Sequence, residues 1–120
     1  MKLENEKKKN MFLCAINGIK SALETEKNLR FDLFVAFVVI TFGFLFKINY
    51  IEWIICILSI GMMLFAELIN TAIETVVDMY TRNKNELAGK AKDISSGAVF
   101  VMSINVAVVG MIIFIPKIFN

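Results

Sequence analysis

The sequence predicts an all-α integral membrane protein: an N-terminal amphipathic surface helix followed by three transmembrane helices. Three observations carry this. Hydrophobic residues make up 58% of 120 residues, too many for a soluble domain of this size. They are clustered in long runs rather than alternating, which argues helix and bilayer over strand and core. The charged residues gather between those runs, and the single proline, Pro116, lies at the end of the last one. One domain is expected, residues 1–120.

Residues 1–10 are polar and rich in lysine, with Lys2, Lys7, Lys8 and Lys9. The apolar stretch that follows them, Met11 to Ile16, is too short for a signal peptide core, and Asn17, Gly18 and Lys20 break it. From Met11 to Glu24 the residues Phe12, Ala15, Ile16, Ile19, Ala22 and Leu23 recur at helical spacing, as in a helix lying in the membrane interface or docked on protein. Residues 1–28 are expected to form a cytosolic or interfacial helix and linker.

The first span is placed at 29–49. Its apolar part, Phe31 to Phe46, is broken by Asp32, Thr41 and Gly43. Sixteen residues rise roughly 24 Å, so flanking residues must complete a core of ~30 Å. A second run, 51–80, rises roughly 45 Å and extends beyond the bilayer. A polar loop is expected at 81–94 and a third span at 95–116, whose Ser95, Ser96, Gly97, Ser103, Asn105 and Gly110 suit close helix packing. Seven lysines and arginines precede Phe31, where the apolar part of the first span begins, and four lie in 81–93, against one in the 47–50 turn and one in the tail. The positive-inside rule then puts the N-terminus and the 81–94 loop in the cytosol.

Glu67 to Asp78 stands out. On a helix, Glu67, Asn70, Glu74 and Asp78 fall within about 80° of one another, while Leu68, Ile69, Ile73, Val76 and Val77 cover much of the rest. Ionisable groups at a membrane boundary are costly and mark functional sites. The plainer reading is a set of carboxylates that pair with basic groups to hold helices together. The chain has no histidine, which excludes histidine acid–base chemistry and histidine metal ligation. Cys14 and Cys56 have no metal-type spacing and read as packing residues. Carboxylates and amides are hard ligands for Mg²⁺, which binds through one or two carboxylates plus phosphate oxygens. A carboxylate can also accept a hydroxyl proton, and nearby lysines can hold phosphates. These are the parts of phosphoryl transfer, and at this depth the acceptor hydroxyl belongs most simply to a lipid. Gly89-Lys90 is no phosphate loop, because Lys84 stands at the first glycine position and Ala91 replaces the Ser/Thr.

The run Glu67-Leu-Ile-Asn70-Thr71-Ala72-Ile73-Glu74 through Val77-Asp78 resembles the signature of the prokaryotic diacylglycerol kinase family. Gly89-Lys90-Ala91-Lys92-Asp93, Ser96, Glu26, Asn28 and Arg30 extend the match. The resemblance implies ATP- and Mg²⁺-dependent phosphorylation of a lipid hydroxyl by a homotrimer in the bacterial plasma membrane, with active sites shared between subunits and no nucleic-acid partner. By position it implies that Glu67 is the general base and that Asn70 orients the reacting groups. Glu26 and Glu74 would ligate the metal that bridges ATP. Asn83, Lys84, Asn85, Lys92 and Asp93 would contact the nucleotide, and Ser96 the lipid. Arg30 would either contact the lipid or anchor the helix at the interface, and Asp78 would serve either helix positioning or catalysis. Cys14 and Lys7 stand where better-known relatives carry an aromatic residue and an arginine, so a stacking face for adenine is missing there.

The motif version here looks more like Gram-positive members that resemble undecaprenol kinases, which favours undecaprenol over diacylglycerol as substrate. Two readings of another class compete. In a non-catalytic assembly protein the carboxylates would pair with Arg30, Lys90 or Lys92. In a small cation or proton transporter Glu67 would be the carrier, but the outer half of its span offers only Ser59 as a polar group.

Overall fold

The computed structural model describes residues 10–120 as four helices joined by short breaks. These are α1 (Met11–Thr25), α2 (Lys27–Leu45), α3 (Tyr50–Tyr80) and α4 (Glu86–Ile118). The lysine-rich start, including Lys7, lies outside the described residues. Three helices, α2, α3 and α4, are long and apolar enough to cross a membrane. The protein is an all-α membrane protein.

A single extended residue, Glu26 (φ −108°, ψ 107°), separates α1 from α2. Arg30 closes this corner. Its guanidinium donates to the carbonyl oxygens of Leu23 at 2.6 Å and Glu24 at 3.1 Å, pairing carbonyls that the end of α1 leaves without helical partners.

The α2–α3 turn is built from three local devices. Lys47 takes a left-handed conformation (φ 53°). The Ile48 N–H then donates to the Gly43 carbonyl at 3.1 Å and the Lys47 N–H to that of Phe44 at 3.3 Å, the two bonds of a Schellman cap. Asn49 and Glu52 next exchange side-chain and backbone hydrogen bonds at 2.9 and 3.1 Å, a capping box that starts α3. Glu52 also meets Lys117 at 3.1 Å, tying the far end of α4 to this turn.

The expected first span, 29–49, is helical from Lys27 but stops at Leu45, because this turn consumes the remainder. The non-helical loop expected at 81–94 shrinks to five residues, 81–85, since α4 already begins at Glu86. Asn85 accepts from the Ala88 N–H at 3.0 Å and Glu86 sits in the first turn, both favourable at a helix start. Polarity marked 86–94 as lying outside the bilayer, yet Leu87, Ala88, Lys90, Ala91 and Lys92 are good helix formers. The helix also runs past Pro116 to Ile118.

The α3–α4 pair is the main packing unit, with α2 against α3 and α1 touching both α2 and α3. Ile48, Cys56 and Ile113 form the buried cluster near the α2–α3 turn, flanked by Trp53, Phe46 and Phe114. Phe34, Phe37, Phe44, Phe65 and Phe100 are exposed, as helices that face hydrocarbon require.

Candidate functional site

The site lies where the polar end of α3 faces the starts of α2 and α4. Glu67 is 3% exposed, and a carboxyl so placed needs hydrogen-bonding partners. The carboxyl of Asp32 on α2 lies near it. The carboxylates of Glu26 and Glu74 lie close enough for their charges to bear on it. The ion pairs among the described residues are Lys92–Asp78 and Lys117–Glu52, so no lysine or arginine of this part neutralises Glu67. Of the carboxylates expected to tie helices together through Arg30, Lys90 or Lys92, Asp78 does so through Lys92, whereas Glu67 meets none of the three.

One turn further along α3, Asn70 is held from both sides. Its Nδ2 donates to Glu74 Oε1 at 3.2 Å, and its Oδ1 accepts from Ser95 Oγ at 2.6 Å. These two contacts set the orientation of the amide. Ser95 is 5% exposed, and its single proton serves either Asn70 or the Lys92 carbonyl at 3.0 Å. Thr71 bonds back to the Glu67 carbonyl at 2.9 Å.

Two turns beyond, Lys92 Nζ meets Asp78 Oδ1 at 2.6 Å and joins α3 to α4. That hydrogen bond first, then the charges of Lys92 and Arg82, hold the Asp78 carboxyl below its usual range. Beside this strut an open depression is lined by Lys84, Asn85, Glu86, Gly89, Lys90, Asp93 and Ile94. Its two lysine charges are balanced by Glu86 and Asp93, and the N-terminal turns of α4 add backbone N–H groups.

The sequence profile of prokaryotic diacylglycerol kinase matches residues 13–114. The chain belongs to the prokaryotic diacylglycerol kinase family. Among similar proteins, the undecaprenol kinase of Bacillus subtilis (strain 168) is 42% identical over 106 residues, covering 88% of this chain and 86% of its own. The diacylglycerol kinase of Haemophilus influenzae is 38% identical over 87 residues, 72% of this chain and 74% of that one. The diacylglycerol kinase of Escherichia coli (strain K12) is 30% identical over 92 residues, 77% and 75%. The protein is therefore a lipid kinase that uses ATP, and the assembly and transporter readings fall away.

The structure of this kinase brings Glu67, Asn70 and Glu74 onto one face and sets Glu26 near them at the α1–α2 corner. It also brings Lys84, Asn85 and Asp93 to one depression. It does not bring every expected residue there. Asn83 lies outside the depression, with its N–H on Thr81 Oγ1 at 3.0 Å, and Lys92 is engaged by Asp78. Ser96 is exposed, one position round the helix from the serine that contacts Asn70. Arg30 is spent on the end of α1.

Two residues escaped the sequence reading. Asp32 had a signal, being the one charge within the first apolar run, which by itself marks a functional position. Ser95 read only as a small residue suited to helix packing, since only the packing of α4 on α3 decides which serine turns inward.

Proposed function

We propose that this kinase phosphorylates undecaprenol at the cytosolic face of the bacterial plasma membrane, transferring the γ-phosphate of ATP. The observation that carries the chemistry is a buried Glu67 with no neutralising lysine or arginine among the described residues, at the end of an apolar helix. The choice of lipid leans on the 42% identical relative that is named an undecaprenol kinase. Diacylglycerol is the second reading, because the Haemophilus influenzae and Escherichia coli relatives are named for it.

Glu67 acts as general base and takes the proton of the lipid hydroxyl as that oxygen bonds to the γ-phosphorus. Asn70, clamped between Ser95 and Glu74, orients the reacting groups. Among the described residues no three metal-ligating side chains form a cage. Two hard carboxylates nevertheless fit an ion that keeps water and phosphate oxygens in its shell. Glu26 and Glu74 would hold Mg²⁺, which supplies charge neutralisation on the phosphates when bound. Lys84, Asn85 and Asp93 hold the nucleotide, with Lys90 added from the wall of the same depression. Asn83 and Lys92 lie outside that depression, and Lys92 would have to leave Asp78 to reach the nucleotide. Ser96 faces the lipid, and Arg30 sets the corner that presents Glu26. The working unit is a homotrimer with sites shared between neighbours, its N-terminus cytosolic by the excess of lysine and arginine on that side.

Phosphate transfer from labelled ATP with Mg²⁺ in mixed micelles, with undecaprenol and diacylglycerol side by side, tests this reading. Undecaprenol is expected to turn over faster, and Glu67→Gln, folded and assembled, to be inactive. Faster diacylglycerol turnover overturns the lipid choice. Full activity in Glu67→Gln overturns the base.

A further inference from the structure

A hydrocarbon-lined groove in the spanning part has no role in the reading above. α2 and α4 each pack on α3 but barely on each other. The gap between them is a groove of about 250 Å³ with α3 as its floor. It starts at Phe31 and Asp32 and ends at Phe114, beside the α2–α3 turn. Its lining covers Phe31 to Val39 on α2 and Cys56 to Leu64 on α3, each a rise of roughly 12 Å. Ala36, Cys56 and Met63 are buried in it, whereas Phe31 and Ala107 are exposed. The groove is open sideways to hydrocarbon.

Its first end meets the face that carries Glu67. Met63 and Leu64 line the groove one turn before Glu67, on the same side of α3. On α2 the rim is Asp32, whose carboxyl lies near Glu67. Asp32 Oδ2 is buried and has no hydrogen-bond partner among the described residues. A buried oxygen left in that way is costly. An alcohol hydroxyl arriving at this end brings the donor it lacks.

The same end has nothing to hold an ester. Besides Asp32 the polar side chains of the lining are Ser59 and Ser103. Ser103 Oγ already meets the Val99 carbonyl at 2.9 Å. Ser59 lies roughly 12 Å from Glu67 along α3. The ester carbonyls of a diacylglycerol are only a few bonds from its free hydroxyl. With that hydroxyl at Glu67 they fall among Phe31, Val35, Met63 and Leu64, whose side chains donate no hydrogen bond. A polyprenol has no carbonyl, and all of it beyond the hydroxyl is hydrocarbon.

We propose that the groove between α2, α3 and α4 seats the chain of the lipid substrate and selects an ester-free prenyl alcohol over diacylglycerol. The inference deepens the undecaprenol reading and rests on it. Lipid tails are as apolar as the groove, so the chain gains little by leaving the bilayer except close packing. Discrimination comes instead from ester carbonyls that the groove leaves unpaired.

Photolabelling reads the seat without turnover. The full chain in lipid vesicles receives an undecaprenol analogue with a diazirine a few isoprene units from its hydroxyl, and labelled peptides are identified by mass spectrometry. Label is expected around Ser59 on α3 and Val106 on α4. Excess undecaprenol should remove it and excess diacylglycerol should not. Label spread over the outward helix faces overturns the seat, and equal displacement by diacylglycerol overturns the selection. Faster diacylglycerol turnover in the kinase assay would defeat the substrate reading itself, wherever the label falls.

Filling the groove is the second test. A Cβ added at Gly110, in the lining, or at Gly61, outside it, meets no atom within 4 Å. Gly110→Leu is expected to raise KM for undecaprenol about tenfold with KM for ATP unchanged. Gly61→Leu should leave both near wild type. An unchanged lipid KM in Gly110→Leu overturns the proposal. If that protein also fails to assemble, a neighbouring subunit and not the lipid covers the groove.

Discussion

Ser95 donates its hydroxyl to Asn70 Oδ1 at 2.6 Å across the α3–α4 interface. This bond leaves the Asn70 amide facing Glu74, which it reaches at 3.2 Å. A residue on the third span thus decides which way a side chain on the second span points. Ser95→Ala removes the only side-chain donor contributed by α4 to Asn70 and frees the amide to turn. The expected outcome is a kcat loss of about tenfold with helix content unchanged, and a stability cost of about 1 kcal/mol. Ser95→Thr, which keeps the hydroxyl, should retain most activity. Steady-state kinetics and circular dichroism in micelles check both.

Asp78 and Lys92 make stability depend on pH. The Asp78 carboxyl is held below its usual range, chiefly by the Lys92 hydrogen bond. A carboxyl that is depressed in the folded state adds stability that is fully present above its unfolded-state pKa. That stability is lost as pH falls through the lowered folded value. Melting temperatures measured in micelles should therefore drop between neutral and acid pH, and Asp78→Asn should flatten that part of the drop. An equally steep fall in Asp78→Asn would place the acid sensitivity elsewhere.

Gly43 is packed under Trp53, and a Cβ built at Gly43 would lie 2.6 Å from Trp53 Cη2. Gly43→Ala must push the indole off its seat beside Phe44, where the rings now sit 4.8 Å apart. A cost of about 1–3 kcal/mol follows from overpacking of this kind. Reversible unfolding in detergent reads it, and pairing the change with Trp53→Leu should recover part of the loss.

Lys47 holds a left-handed backbone that L-residues adopt at a cost. Lys47→Gly relieves that strain but gives the unfolded chain more freedom. The net expectation is a gain of about 0.5–1 kcal/mol without change in kcat. A destabilised Lys47→Gly would mean that the lysine side chain contributes more than its backbone costs.

Much was legible in the sequence because local rules decide it. The apolar runs set the spans, and helical spacing put Glu67, Asn70, Glu74 and Asp78 on one face, since a helix needs no distant partner to fix its own angles. The match from Glu67 to Asp93 likewise pointed to phosphoryl transfer, and the family comparison bears it out. The polar 86–94 stretch misled, because polarity reports depth in the bilayer and not helix breaking.

What remained depends on how helices of different sequence number pack together. Only the docking of α4 on α3 turns Ser95, and not Ser96, toward Asn70. Only the seating of α2 against α3 sets Asp32 against a residue 35 positions away, Glu67. The fold of Arg30 back onto Leu23 and Glu24 turns an interfacial cation into a helix cap. Secondary structure follows from each residue and its near neighbours. Which polar groups share a site is set by the rotation of one helix against another, and no spacing within a single helix encodes it.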